Sequence, residues 1–350
     1  MDAWIAGGGI GGLAAAAGLT RAGWRVRVSE RGDALSSDGT GLVLWPAVVR
    51  ELDRLGLGEE LRQRAMPQPP GVLQRWDGRV LAEVDTERIR RRAGEVPYVV
   101  ARPDLLALLF AALPEDTVRF GQPAPVDADA DVLVGADGAH SAVRRRLAGP
   151  RHRLRDTGQT AWRGVIEAAA PHAGEVWGPG AKFGYTPLAA ERTYFYAVLP
   201  TRLVEHHGDA PDHDLLLAHF GRWPAPVPSI LRQADPARLL RHPLHYLAPR
   251  LPSYVGERTA LLGDAAHTMT PDLGQGACQA LLDAFTLARC LATASSGDDV
   301  AAALRQYDRL RRGPSQRVAT AARWHGRIST ARRDVHVRDA LVRVASTVAR

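Results

Sequence analysis

The sequence predicts an α/β protein: a Rossmann-like dinucleotide-binding domain, a mixed β-sheet domain set within it, and helices at the C-terminus. Three stretches carry this prediction. The first is Trp4-Ile5-Ala6 running into Gly7-Gly8-Gly9-Ile10-Gly11-Gly12. The second is Asp131-Val132-Leu133-Val134-Gly135-Ala136-Asp137-Gly138. The third is Leu261-Leu262-Gly263-Asp264-Ala265-Ala266-His267, continuing through Pro271-Asp272-Leu273-Gly274-Gln275-Gly276. Each carries a short apolar run into glycines, joined in the second and third by an aspartate, the pattern of a buried strand entering a loop.

The opening unit is the most specific. Gly7, Gly9 and Gly12 fit GxGxxG after a strand. Residues 13–21 read as a small-residue helix that Gly23 ends. Residues 24–28 alternate as a second strand, and Glu30 follows it. The first glycine allows a tight turn. The second lets backbone approach a pyrophosphate, and the third lets the helix pack on the strand. An acid after the second strand holds ribose hydroxyls and disfavours a 2′-phosphate, so FAD or NAD is expected here rather than NADP.

The other two stretches add polar mouths to buried strands. Asp137-Gly138 offers a carboxylate and backbone donors before a basic helix start at Val143-Arg144-Arg145-Arg146. Asp264 at a strand edge suits hydroxyl groups. The glycines before residue 277 leave free N–H groups and a positive dipole end at a helix N-terminus.

Taken together, in this order, these motifs resemble the single-component FAD-dependent aromatic hydroxylases of the para-hydroxybenzoate hydroxylase type. Arg102-Pro103-Asp104-Leu105, Trp162-Arg163-Gly164, Phe183-Gly184-Tyr185 with Pro187, and Tyr307-Asp308-Arg309 with Arg311-Arg312 resemble family patterns too, so the likeness covers nearly the whole chain. The resemblance implies that FAD is held by Gly7, Gly9, Ile10, Gly11, Gly12, Glu30, Arg31, Val43, Arg102, Val126, Asp137 and Asp264. It also implies Pro271, Gly274, Gln275, Gly276 and Ala277 beside the flavin ring. There Pro271 would lie over the reactive edge, and the amides of residues 273–277 would face the pyrimidine carbonyls and stabilise negative charge on reduced flavin. The substrate pocket would take Phe183, Tyr185, Tyr196 and Pro271. The chain departs from relatives at residues 118–131, where they usually carry an extra β-hairpin.

Composition narrows the classes. At 350 residues the chain exceeds one typical domain and is long enough for a large core. Net charge is +7, and Lys182 is the only lysine among 45 basic side chains. No basic run is interleaved with aromatics as a single-strand binder needs, so nucleic acid is not an expected partner. Cys278 and Cys290 are the only cysteines and form no metal pattern, which fits a reducing cytoplasm. No metal site is expected. The apolar N-terminus lacks a basic n-region, and its glycines belong to the nucleotide motif. No run approaches about 18 uninterrupted apolar residues, so no membrane insertion is expected.

Along the chain, residues 1–70, 96–158 and 256–325 read as the FAD-binding domain. Residues 71–95 and 159–255 read as the substrate domain, and 326–350 as a C-terminal helix. A helix is expected over 47–55 behind Pro46, a hairpin over 71–84 turning at Asp77-Gly78, and a helix from Arg102 with Pro103 in its first turn. The basic run Arg88 to Arg92 reads as a solvated face. Residues 160–170 and 181–199 read as strands of a second sheet. Alternation puts Phe183 with Tyr185, and Tyr194 with Tyr196, on common faces. His206, His207, His213 and His219 read as surface or packing residues, and His267 as a hydrogen-bonded structural histidine. In the tail, Val337, Leu341, Val344 and Val348 form an apolar stripe expected to pack on the chain itself.

These expectations converge on an FAD-dependent monooxygenase. The resemblance implies that NADPH or NADH binds transiently and reduces the flavin, that O2 adds at C4a, and that the hydroperoxide passes oxygen to a phenol-like small or polycyclic aromatic. A related epoxidase or Baeyer–Villiger enzyme, or a catalytically idle binder of FAD and an aromatic ligand, are the alternatives. A monomer or homodimer is expected.

Overall fold

The computed structural model describes residues 1–123, 128–208 and 210–348, with side chains up to residue 343. A five-stranded parallel sheet runs in the order Thr259–Leu261, Val132–Gly135, Asp2–Ala6, Arg25–Ser29, Val118–Arg119. The strands Thr259–Leu261, Val132–Gly135 and Asp2–Ala6 are largely buried apolar runs, as a parallel sheet covered on both faces requires, while Arg25–Ser29 alternates and Val118–Arg119 is a short edge. Ile5, Val28 and Val134 are wholly buried.

The helix Ile10–Arg21 lies against the helix Gly276–Leu291 along a seam of small residues. A Cβ on Gly18 would stand 2.7 Å from Ala288 Cβ, and one on Gly11 would stand 2.6 Å from Leu262 Cδ1. Gly18 therefore lets the two helices approach, and Gly11 lies between Leu262 and the second helix's Ala280, which fixes the relation of two sequence-distant motifs. A third helix, Arg102–Ala111, starts at the expected Arg102 with Pro103 in its first turn.

A seven-stranded mixed sheet runs Leu240–Ala248, Arg153–Ile166, Arg192–Pro200, Lys182–Leu188, Ala173–Trp177, Gly71–Arg75, Val80–Val84. Neighbours are antiparallel except Ala173–Trp177 with Gly71–Arg75. The hairpin over 71–84 turns with Gly78 at φ +89°. The strand at 173–177 has no clear alternation in sequence and was not anticipated; it joins the hairpin to the rest of the sheet. The strand expected over 160–170 begins at Arg153, since the chain bulges between Asp156 and Thr160 and continues pairing. Between Val118–Arg119 and Val132–Gly135 the described residues carry no strand, consistent with the missing hairpin.

The chain ends in two helices. Gly297–Ser329 begins with a capping box, in which Ser296 Oγ accepts from Asp299 N–H and the Asp299 carboxylate accepts from Ser296 N–H. Val335–Val348 packs against the strand Val80–Val84. The described half of the expected apolar stripe is not what docks it: Val337 and Leu341 are 58% and 65% exposed, whereas Arg338 and Asp339 are buried, and the side chains of Val344 and Val348 lie outside the described residues. The surface it meets is polar. Arg338 donates to the carbonyls of Gly178 and Ser329, and its guanidinium lies 5.4 Å from the Trp177 ring centroid. Among the described residues no helix is long and apolar enough to cross a membrane.

Candidate active site

The glycine loop is built as its spacing demands. Gly7 has φ +107°, and a Cβ there would stand 2.5 Å from Ala136 O. A Cβ on Gly12 would stand 1.9 Å from Gly7 O, so only glycine lets the helix approach the strand. Around a Cβ on Gly9 there is nothing within 4 Å. That glycine is not required by protein packing; it leaves open space beside the helix N-terminus. Glu30 closes the loop: Oε2 accepts from Gly8 N–H (2.7 Å) and Oε1 from Gly32 N–H (2.8 Å). Each oxygen keeps a lone pair for a hydroxyl. Arg31 is exposed beside it, and Ile10 opens the helix.

The second and third motifs meet through Arg144, which is 2% exposed. Its guanidinium donates to Ala139 O (2.6 Å) in one loop and Ala265 O (3.1 Å) in the other. Sequence reading noticed the basic run but not this role, which only burial distinguishes from its neighbours Arg145 and Arg146. Asp137 Oδ2 accepts from the N–H groups of Ala142 and Val143, holding the start of the helix Ala142–Ala148. Its buried Oδ1 has no partner within the protein.

Beneath Asp264 lies a buried polar cluster. Asp283 accepts from Gly263 N–H (3.0 Å), His267 Nε2 (2.5 Å) and Arg311 Nε (2.7 Å). Burial would raise the Asp283 carboxyl, but His267, Arg311 and the Gly263 amide outweigh it and hold it below the usual 3.8. His267 is thus the structural histidine expected, and the cluster sets the Gly263 turn at φ +57°. The Asp264 side chain is exposed in the open cleft and its carboxylate makes no hydrogen bond within the described residues, while its backbone carbonyl accepts from Thr268 Oγ1 (2.6 Å) and Arg144 Nη1 (3.4 Å). The protein crowded around it raises its pKa, against His267, Arg163, Arg144 and Arg102.

Arg102 is half-buried and forms no ion pair within 4.0 Å among the described residues; burial lowers its pKa, with Asp38 the nearest opposing charge. Beyond it, Pro271–Leu273 forms one 3-10 turn, and Gly274 follows at φ +61°. The helix Gly276–Leu291 then begins. The backbone bond Gln279 N–H to Gln275 O leaves the amides of residues 276–278 without helical acceptors. Nothing lies within 4 Å of a Cβ on Gly274 or Gly276. Val43 sits in the strand Gly41–Leu44, and its carbonyl accepts from Cys278 Sγ at the foot of this helix. Val126 lies outside the described residues.

These features fit FAD. Open space at Gly9, an arginine at 102 with no ion pair among the described residues, an unpartnered carboxylate oxygen on Asp137, spare lone pairs on Glu30 and Asp264, and helix-start amides at 276–278 are groups that would suit the pyrophosphate, hydroxyls and ring carbonyls of that molecule.

The seven-stranded sheet faces this cleft with Tyr194, Tyr196, Val198, Arg163 and Lys182. Phe183 and Tyr185, expected in the substrate pocket, are on its other face. Phe183 stacks on Phe195 (5.6 Å) and meets Phe220, and Tyr185 Oη bonds His172 Nε2 (3.0 Å). The reason is the helices Asp212–Phe220 and Val227–Gln233, whose Leu216, Phe220 and Leu231 bury that side. Tyr196 remains on the cleft side, its phenol pushed well above 10 by burial and by Glu175.

Lys182 is the site residue that sequence reading missed. It is 1% exposed and paired with Asp272 (2.8 Å) and Glu175 (3.0 Å). Burial would lower its ammonium, but the two carboxylates reverse this and raise it. The pair ties the turn bearing Pro271 to the sheet opposite. The available signal was composition: one lysine in a chain that otherwise uses arginine.

Comparison with known proteins agrees with this geometry. The profile of the family described as "FAD binding domain" matches residues 1–128 and 244–322. The chain belongs to the single-component FAD-dependent aromatic hydroxylases. Among these flavoprotein monooxygenases it is 32% identical over 339 residues to the FAD-dependent urate hydroxylase of Klebsiella pneumoniae, covering 89% of this chain and 86% of that one. It is 32% identical over 333 residues to the aurachin C monooxygenase/isomerase of Stigmatella aurantiaca, with 88% and 84% covered. The crystal structure of Klebsiella pneumoniae HpxO complexed with FAD and uric acid superposes with a TM-score of 0.87 at 28% identity, over 99% of this chain and 93% of that one. FAD is the family's cofactor, and the hydroxylase fold is the one described above.

Proposed function

We propose that this flavoprotein monooxygenase hydroxylates a small, electron-rich aromatic ring, using O2 and a transiently bound NADH or NADPH. The observation that carries the reading is the Lys182–Asp272 pair. It holds the turn at Pro271 against the cleft face of the seven-stranded sheet, so that a ring would lie between the two. On this reading Pro271 would lie at the flavin edge, and Gly7, Gly9, Ile10, Gly11, Gly12, Glu30, Arg31, Val43, Arg102, Asp137, Asp264, Gly274, Gln275, Gly276 and Ala277 would hold the cofactor.

When bound, FAD supplies two-electron reduction and oxygen activation. The protein's own work is to position and to shield. Val198, Leu244 and Ala161 are buried on the cleft side and keep that wall apolar. Water exclusion of this kind protects reactive oxygen species on a cofactor from wasteful breakdown. Tyr196, with its raised pKa, stays a neutral phenol at pH 7 and acts as a hydrogen-bond donor rather than a base. The amides at 276–278, which lack helical acceptors, would stabilise negative charge on the ring of a bound flavin. Among the described motifs there is no second glycine fingerprint, which supports transient use of the nicotinamide nucleotide.

The test is NADH and NADPH oxidation in air by the FAD-reconstituted protein, with and without a panel of phenols and fused-ring aromatics. Several-fold stimulation by one class, with a hydroxylated product, supports the reading. Oxidation that no aromatic alters would contradict it.

A further inference from the structure

Charge is spread unevenly along the chain. Residues 301–350 hold 12 arginines and three aspartates, a net +9, so the chain total of +7 leaves −2 for residues 1–300. The long helix Gly297–Ser329 carries much of that excess and has unlike sides. Its inner side buries Tyr307, Arg311, Ser315, Ala322 and Ser329. The helix also closes a cavity of about 280 Å³ behind the Pro271 turn, with Arg323 and Arg327 in the lining beside Thr270 and Tyr246. On the solvent side, Leu310, Arg317, Trp324 and Ile328 recur at spacings of seven, seven and four, so they form one stripe. All four are exposed, and Arg309 and Arg327 flank them. Arg309, Arg317 and Arg327 form no ion pair among the described residues. The Arg327 guanidinium lies 5.3 Å from the Trp324 ring centroid. The C-terminal helix adds exposed Val337 and Leu341, one turn apart. Of the nine large apolar side chains exposed among the described residues, five therefore lie on these two helices, a concentration that single scattered groups do not explain.

We infer that the solvent side of the long helix docks the enzyme reversibly on an anionic lipid bilayer. Two properties of one stripe point to this occupant. Its arginines match lipid phosphates in charge and in paired N–H donors, and the +9 of the C-terminal residues against −2 elsewhere steers this side of the molecule to a negative surface. Its apolar members need a boundary that water does not fill. Leu310 and Ile328 enter the layer between headgroups and acyl chains, and Trp324 sits at that level as an amphipathic ring. The contact lies in the interface and not across it, since among the described residues no helix is apolar enough to span. A nucleic acid would meet the arginines but leave Leu310 and Ile328 in water, and one tryptophan offers no row of rings for bases. Because Arg327 both lines the cavity behind Pro271 and touches Trp324 of the stripe, docking sets that cavity close to the bilayer boundary.

The experiment floats the FAD-loaded full chain with vesicles of phosphatidylcholine alone or with about 30 mol% phosphatidylglycerol added. The expected result is binding at least about tenfold tighter to the anionic vesicles at about 0.1 M salt, and most of that preference lost at about 1 M. Two double variants separate the parts of the stripe. Trp324→Gln/Ile328→Gln and Arg309→Gln/Arg317→Gln should each weaken vesicle binding at least about tenfold. All four positions are exposed, so melting temperature and NAD(P)H oxidation should stay at wild-type values. Equal recovery with neutral and anionic vesicles, or vesicle binding that survives in both double variants, would overturn the inference. So would duplex DNA that binds as tightly as the anionic vesicles and is unaffected by Trp324→Gln/Ile328→Gln, which would mark a general polyanion surface. Vesicle binding is read without turnover, so its failure leaves the hydroxylase reading untouched.

Discussion

The carboxylate of Asp264 makes no hydrogen bond within the described residues, and burial raises its pKa above the usual 3.8. A raised carboxyl pKa means that this group's contribution to folding is present below about pH 3.8 and is lost as pH rises through the folded value. Because the side chain is exposed to solvent in the cleft, that effect on the cofactor-free protein is small. Asp264→Asn is expected to leave the apoprotein's melting temperature at pH 7 close to that of the wild type, while weakening FAD about 10- to 100-fold through loss of a charged hydrogen bond. Calorimetry and FAD titration read the two effects separately. Lys182 has the opposite character. Its raised pKa means that its stabilisation is present below about 10.5 and is lost as pH rises through the folded value. Lys182→Met leaves Asp272 and Glu175 uncompensated and should cost about 3–5 kcal/mol. The wild type should lose that margin above pH 10.5, whereas the variant should show no such alkaline step in denaturant titrations. The place of Glu30 beside the glycine loop was legible in sequence because strand–helix–strand spacing brings it back to Gly8, 22 positions away, and that of Asp264 because it directly follows an apolar strand and Gly263. Lys182 was not, because its partners come from an adjacent strand and from a loop far along the chain.

At the scale of elements, the glycine loop separates two requirements that the motif merges. Gly12 is needed by the fold: its Cβ would meet Gly7 O at 1.9 Å. Gly12→Ala should destabilise the apoprotein by about 1–3 kcal/mol or more, as overpacking does. Gly9 is not needed by the fold, since nothing lies within 4 Å of its Cβ. Gly9→Ala should leave apoprotein stability within about 0.5 kcal/mol and still lower FAD affinity at least about tenfold. Denaturant midpoints with and without FAD check both. The strand–loop–helix units were readable because glycine spacing and apolar runs are local signals. The faces of the seven-stranded sheet were only half readable. Alternation correctly paired Phe183 with Tyr185 and Tyr194 with Tyr196. Which pair meets the cleft depends on the helices Asp212–Phe220 and Val227–Gln233 covering the other side, and nothing in the strand itself encodes that. The C-terminal helix misled for a related reason: its apolar stripe suggested a docking face, but Arg338 found carbonyl acceptors instead.

For the whole molecule, a third, three-stranded sheet packs on the seven-stranded one through Val99, Ala101 and Leu188, and a few polar side chains tie the rest together. Lys182 ties the seven-stranded sheet to the Pro271 turn, Arg144 ties the loops at Ala139 and Ala265, and the long helix closes the cavity behind Pro271. The family likeness was legible in sequence because its motifs occur jointly and in order. The cavity on the long helix was not, because Arg323 and Arg327 look like any other solvated arginines until the fold places them beside Thr270 and Tyr246.

The central claim is that this arrangement inserts one oxygen atom from O2 into an aromatic ring. The most direct measurement is product mass after turnover of the FAD-loaded protein with NAD(P)H under ¹⁸O₂, using the compound that best stimulates oxidation. The account predicts a ring-hydroxylated product carrying one ¹⁸O. A product with oxygen drawn from water, or NAD(P)H consumed with the aromatic recovered unchanged, would contradict it.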